Sequence, residues 1–227
     1  MPRLNPKSGK IKNRVIFITG PTAVGKSRAA VNLAKKIGAE IISCDSMQVY
    51  RGMDILTSKP PAALRKRVPH HLIDIIAPGK EYNVSLYRRD ALKKIKDISG
   101  RNKTPLFVGG TGLYISILLD GIFNLKAEDK NIRSRLYAEG QKRGAAYLYT
   151  MLKEVDPQAA LKIHPNDARR IVRALEVFKA TGQPISKLQR QRKGLWDEYE
   201  VTVFCLDIER DRLYKRIDER VDKMFSA

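Results

Sequence analysis

Residues 20–27 read GPTAVGKS, in which Gly20, Gly25, Lys26 and Ser27 fill every fixed position of G-x-x-x-x-G-K-[ST]. That spacing supports the holding of a di- or triphosphate. The two glycines let the chain curl until successive amide N–H groups face one anion. The helix that follows adds its positive N-terminal end. Lys26 supplies a point charge, and the Ser27 hydroxyl can ligate Mg²⁺. A second candidate is Asp45, which closes the apolar run AEIISCD (39–45). A carboxylate at the carboxyl end of a parallel strand faces the ligand crevice. There it could sit in a magnesium shell, act as a general base, or cap the next turn. A third is Thr111 in VGGTGLY (108–114), where the hydroxyl caps a helix or the glycines let a ligand approach the backbone. No acid ends TPLFVGG (104–110), where many phosphate-loop NTPases keep a magnesium-shell aspartate.

Two arginine groups share a helical face at i,i+4 spacing. In IHPNDARRIVRALE (163–176), Asp167 is a predicted N-cap, with Arg169, Arg170 and Arg173 on the first turns after it. They form either a solvated basic face or a grip on RNA phosphates. In KRIDERVDK (215–223), Arg216 and Arg220 pair with nearby acids or return to the sheet edge as an anion clamp. His70 and His71 in VPHHLID have no acid or cysteine at ligand spacing, so local hydrogen bonding is expected rather than a metal site.

The elements that must position these groups follow from periodicity. RVIFIT (14–19), AEIISCD and TPLFVGG are short apolar runs of the buried parallel-strand type. Between them, SRAAVNLAKKIG and VSLYRRDALKKIKDISG have helical spacing and glycine stops at Gly38 and Gly100. The result is β-α-β-α-β, with a further helix at LYISILLDGI (113–122). From Phe123 to Tyr199 the text holds helical stretches and no strand, with an excess of Lys and Arg. EVTVFCLDI (200–208) returns to strand character and DRLYKRIDERVDKMF to helix. The predicted organisation is a basic tail over 1–14, an α/β core over 15–122, an all-helical insertion over 123–199, and a return of the core over 200–227. The chain stops at Ala227 directly after an amphipathic helix, so a further C-terminal part is expected.

Of 227 residues, 43% are hydrophobic and 30% charged, and no run approaches the ~20 apolar residues of a membrane span. Cys44 and Cys205 lie in apolar runs and are expected as buried, reduced thiols, which suits a cytoplasmic compartment. Lys and Arg exceed Asp and Glu by 44 to 24, a net +20 that points to a polyanionic partner, nucleic acid first.

Together GPTAVGKS, DSMQVYRGMDI, TSKP, VPHHLIDI, PLFVGGTGLY, EVDPQAALKIHPNDARRIVRALEVFKATGQPIS and RIDERVDKM, in that order, resemble the bacterial-type tRNA dimethylallyltransferases from about Val15 to Met224. The resemblance implies a P-loop kinase-like sheet with a helical insertion domain. It also implies transfer of a dimethylallyl group from dimethylallyl diphosphate, with Mg²⁺, to the amino nitrogen of the adenosine 3′ of a tRNA anticodon. On that basis Gly20, Pro21, Thr22, Ala23, Val24, Gly25, Lys26 and Ser27 form the donor site, with Ser27 toward the metal. Asp45 is the base, Thr111 touches the target nucleotide, and Lys26 with Arg220 binds the departing diphosphate. Asp45, Ser46, Met47, Gln48, Thr111, Arg133, Arg169, Arg170, Ile171, Val172 and Arg173 match tRNA-contacting positions. A monomer that meets the anticodon stem-loop, with no membrane, is expected. Leu56 and Ser58 stand where the family usually has glycine and alanine, and Ala77 replaces a common aspartate. Rival readings are transfer of the same group to AMP, ADP or ATP, a small-molecule kinase, and an RNA-binding protein with a vestigial loop.

Overall fold

Five strands, all parallel, form the frame in a computed structural model that describes residues 14–123 and 130–226. The tail expected over 1–14 lies, apart from Arg14, outside the described residues, as do 124–129 of the insertion and Ala227. The strands are β1 (Arg14–Thr19), β2 (Ala39–Ser43), β3 (His70–His71), β4 (Thr104–Val108) and β5 (Glu200–Cys205), in the order β3-β2-β4-β1-β5. Side chains alternate across the sheet, because strand periodicity is two. Phe17, Ile42 and Phe107 point to one face, where helices α3 (Val84–Gly100) and α4 (Gly112–Leu119) cover them. Ile16, Ile18, Ile41 and Leu106 point to the other, against α1 (Lys26–Ile37). Phe17 and Phe107 stack at 4.7 Å between centroids, and Tyr87 on Tyr114 at 3.7 Å. Burial on both faces makes these strands continuous apolar runs rather than alternating ones.

The helix signals behave as expected at α1, where Gly38 takes a left-handed φ of 65° and stops the helix. They differ at α3. Gly100 stays inside the last turn, Arg101 is the C-cap, and Asn102 supplies the left-handed residue at φ 56°. β3 has two residues and α2 (Ala62–Arg65) four, too short for any periodicity to show.

Two compact units result: Met1–Gly121 with Gly194–Ala227, and Ile122–Lys193. The chain rejoins the sheet unit at Gly194, upstream of the boundary expected between Tyr199 and Glu200. The cause is steric and apolar. A Cβ at 194 would overlap the Leu119 carbonyl, and Leu195, opening the one-turn helix α10 (Leu195–Glu198), is buried in the sheet's core.

The second unit is helical among its described residues: α5 (Lys130–Arg143), α6 (Ala145–Val155), α7 (Pro157–Ala160), α8 (Ala168–Thr181) and α9 (Ile185–Arg190). Leu136, Leu148, Leu152, Ile171, Val172 and Leu175 form its core. Buried Asp156 caps α7 by accepting from the Ala159 N–H, and ties in α9 by accepting from the Ser186 N–H and hydroxyl. The last helix of the chain, α11 (Arg210–Phe225), belongs to the sheet unit and buries none of its residues. β5 is an edge strand, and Cys205 at its end is exposed, contrary to expectation, whereas Cys44 is buried. No described helix is long and apolar enough to cross a membrane.

Candidate active site

The carboxyl ends of β1, β2 and β4 converge on a cavity of about 530 Å³ that the sheet unit builds alone. Close backbone packing sets its floor. A Cβ at Gly109 would overlap the Cys44 carbonyl and lie 2.8 Å from Cys44 Cα, while one at Gly20, where φ is 136°, would overlap the Leu206 carbonyl. Gly109 of VGGTG therefore serves first the approach of strand to strand. Ala23 and Gly25 both have positive φ, which turns the loop over, and α1 starts with no side-chain cap and no acid in its first turn. Its first amides are thus left for an anion.

Lys26 curls back over the loop and donates to the Gly20 carbonyl at 2.9 Å and the Pro21 carbonyl at 2.7 Å. An ammonium has three N–H donors, so one remains. Partial burial, then the positive charge of Arg220, pushes the Lys26 pKa below its usual value, and Asp45 opposes the shift. Arg220 reaches the same place from α11. Its Nε–H donates to Ser58 Oγ at 2.8 Å and an NH1 hydrogen to Thr22 Oγ1 at 2.7 Å. Burial lowers its pKa as well, again against the pull of Asp45. Of the two readings for this arginine, the structure realises the return to the ligand edge; Asp218, Glu219 and Asp222 do not pair with it.

Asp45 Oδ1 accepts from the Met47 N–H at 2.9 Å and the Gln48 N–H at 3.4 Å, so one carboxylate oxygen caps the following turn. The other oxygen has no hydrogen bond among the described residues. Thr111 stands at the N-cap position of α4, but its hydroxyl makes no cap bond. Its Oγ1 instead accepts from the Ser46 N–H at 3.1 Å, stitching the ends of β2 and β4 together. Gln48 extends the network: its carbonyl accepts from Ser43 Oγ at 3.0 Å, and its amide donates to the Thr57 and Ser58 carbonyls at 3.4 Å.

The cavity is also lined by the apolar side chains of Ile41, Pro60, Leu64, Ile73 and Val108, with His70 among them. Burial depresses the His70 pKa, and its Nδ1 bonds the Val68 carbonyl at 2.7 Å. His71 bonds buried Glu40, so both histidines do local work, as expected. Of the expected donor and catalytic residues, Gly20, Pro21, Thr22, Ala23, Gly25, Lys26, Ser27, Asp45, Thr111 and Arg220 line the cavity, and so does Gln48. Val24 does not; its side chain is buried beneath the loop. Ser46 and Met47 stand just outside, held to the site through their backbone N–H groups. Ser58 and the apolar lining residues were given no site role by the sequence, although Ser58 and Pro60 lie in TSKP and Ile73 in VPHHLIDI.

The insertion's expected contact set divides by burial. Ile171 and Val172 are 0% and 1% exposed inside the insertion's core, so their side chains leave the RNA-facing set. Arg133 and Arg173 both bond Oε2 of Glu176, a carboxylate only 1% exposed; the Arg133 bond holds α5 to α8, and the Arg173 bond lies within α8. Arg170 pairs with Asp167, the N-cap of α8, and Arg169 has no partner among the described residues. Arg169 and Arg170 are the exposed cations of the group.

The profile of the IPP transferase family matches residues 48–227, and that of the isopentenyl transferase family residues 13–67. The tRNA dimethylallyltransferase of Geobacter sulfurreducens is 47% identical over 215 residues, covering 95% of this chain and 69% of that protein. The enzyme of the same name from Thermotoga maritima is 49% identical over 211 residues, 93% and 68%. Among solved structures, a eukaryotic dimethylallyltransferase acting on tRNA superposes with a TM-score of 0.82 at 33% identity, over 94% of this chain and 53% of that one. The tRNA isopentenylpyrophosphate transferase of Bacillus halodurans gives 0.63 at 42%, over 95% and 67%.

Proposed function

Because the chain belongs to the IPP transferase family, we propose that it transfers a dimethylallyl group from dimethylallyl diphosphate to tRNA, at the amino nitrogen of the adenosine 3′ of the anticodon. One observation carries the reading: a single cavity is lined by a cationic phosphate cradle, a set of apolar side chains and one carboxylate.

The chemistry follows from the nucleophile. An adenine amino group is weak because its lone pair is delocalised into the ring, so the electrophile must ionise far. The carbon–oxygen bond of the donor breaks, positive charge spreads over the allyl group, and negative charge grows on diphosphate. The loop amides, the third N–H of Lys26 and the guanidinium of Arg220 are fixed where that charge grows, which is the arrangement that lowers a barrier most. Nitrogen then bonds carbon, and the free oxygen of Asp45 takes the amino proton. The Ser27 hydroxyl, on the cavity wall, would hold a magnesium ion; when bound, that ion would neutralise charge on the diphosphate. Thr111 holds the Asp45 turn in place, so it acts on the acceptor side of the cavity. The acceptor base must leave its stack, as an anticodon-loop base can. Arg169 and Arg170 grip tRNA phosphates, a contribution that weakens with salt.

The deciding experiment is nucleoside mass spectrometry after incubation with Mg²⁺, dimethylallyl diphosphate and unmodified tRNA, with AMP and ATP as parallel acceptors. A dimethylallyl gain on the tRNA adenosine alone is expected. A gain on AMP or ATP alone would replace tRNA by a free nucleotide as the acceptor.

A further inference from the structure

Among the described residues, Arg220 alone of α11 lines the cavity, and the helix behind it gives little support, since none of its residues is buried. Holding an arginine side chain in one rotamer costs conformational entropy. Something must therefore hold the guanidinium beside Lys26, whose charge repels it. Two hydroxyls do so, Thr22 Oγ1 and Ser58 Oγ. Thr22 belongs to the phosphate loop itself. Ser58 is the anchor that comes from outside both the loop and α11, and it lies 162 residues away in sequence.

The turn that presents Ser58 is built rigidly. Ser58 has φ 46°, a left-handed conformation uncommon for a residue with a Cβ, and its N–H donates to the Ile55 carbonyl at 2.9 Å. The next residue, Lys59, has a side chain only 1% exposed. Its ammonium meets the Tyr50 carbonyl at 2.7 Å, Asp54 at 2.8 Å and Asp74 at 2.6 Å, using all three N–H donors. Gln48, itself on the cavity wall, donates to the Ser58 carbonyl. Burying an ammonium is costly unless it is fully paired, so this turn cannot drift without breaking the lysine's bonds.

We propose that Ser58 is a positioning residue for the diphosphate site: its hydroxyl, fixed by the lysine-stapled turn, sets the Arg220 guanidinium against the phosphate loop. The proposal rests on the reading that this cavity binds the donor's diphosphate.

The test is titration calorimetry of the chain with inorganic diphosphate and Mg²⁺, in wild type, Ser58→Ala, Ser58→Gly, Arg220→Ala and the Ser58→Ala/Arg220→Ala double variant. Ser58→Ala removes the hydroxyl alone, and Ser58→Gly removes it with the Cβ while keeping the left-handed backbone without strain. Both single Ser58 variants are expected to bind diphosphate about 3- to 10-fold more weakly, the range of one typical intramolecular hydrogen bond. Adding Ser58→Ala to Arg220→Ala should change affinity by less than about twofold, because the hydroxyl acts through the guanidinium. Wild-type affinity in either Ser58 variant overturns the proposal, as does a full Ser58 effect in the Arg220→Ala background. A wild-type chain that binds no diphosphate would remove the donor-site reading and the proposal together.

Discussion

Replacing Asp45 by asparagine separates the two jobs of that carboxylate. The carbonyl oxygen of the substituted amide can still accept from the Met47 and Gln48 N–H groups, which now bond Oδ1 at 2.9 and 3.4 Å. The turn that carries Ser46 to Thr111 and Gln48 to Ser43 and Ser58 therefore stays in place. What is lost is the proton acceptor. Removing a general base slows a reaction by about 10²–10⁴-fold, or roughly 3–5 kcal/mol of barrier. Asp45→Ala also strips the acceptor from two backbone donors, about 0.5–1.5 kcal/mol each, and should lower thermal stability where Asp45→Asn does not. The assay is single-turnover transfer at saturating dimethylallyl diphosphate and tRNA, with tRNA affinity and melting temperature measured in parallel. Asp45→Asn should bind tRNA like the wild type, melt like it, and transfer at least about a hundredfold more slowly. A rate within about tenfold of wild type would refute the assignment of Asp45 as the base. A loss that appears in tRNA affinity instead would make it a binding residue.

At Gly109, alanine would drive a Cβ into the Cys44 backbone and force β2 from β4, so Gly109→Ala should destabilise by about 3 kcal/mol or more; Gly112→Ala, with nothing near its Cβ, should melt no lower than wild type. Buried Glu40 is held below its usual carboxylate range chiefly by its hydrogen bond to Arg101. It therefore stabilises the fold above that range, and the contribution is lost as pH falls through its lowered value. Glu40→Gln should cost about 1–3 kcal/mol at pH 7, and its melting temperature should converge on wild type as pH is taken below 4.5, the ordinary value. The Arg169→Ala/Arg170→Ala pair should weaken tRNA binding and flatten its log–log salt slope by about 1–2, and an unchanged slope would return both to the status of solvated cations. Arg173→Ala, which leaves Glu176 with one arginine fewer, should instead lower the stability of the insertion.

The phosphate loop was legible because its motif sits between a buried strand and a helix, and local residues fully determine that geometry. The parallel order of the central strands followed from their continuous apolar text. The same text could not tell a central strand from an edge one: VTVFC reads like IFI, yet β5 is at the edge and Cys205 is exposed. Ile171 and Val172 teach a related lesson. A contiguous run carried over from relatives ignores which way a helix faces, whereas the apolar period of α8, buried at 171, 172, 174, 175 and 177, assigns both to the core. Ser58 and Lys59 lie in TSKP, but nothing local to it named their roles. The partner of Ser58 stands 162 residues away on α11, and those of Lys59 stand 5 to 15 away in irregular chain where no period applies.

The missing acid after β4, which counted against a kinase, has a steric cause, and that cause shapes the chemistry. The residue at that strand end must be glycine, because any Cβ at 109 meets the Cys44 backbone. The site's carboxylate is thereby displaced to the end of the neighbouring strand, at Asp45. Among the described residues lining the cavity it is the only acid, against Lys26, Arg28 and Arg220. An excess of cations at the loop suits a reaction in which negative charge grows on the diphosphate and remains there while carbon departs. The allyl group makes the reverse demand, since a group gaining positive charge needs neighbours that carry none. Ile41, Leu64 and Ile73 meet it, and burial holds His70 toward its neutral form. On the proposed reading, one cavity thus offers cations to the diphosphate and uncharged neighbours to the carbon that leaves it.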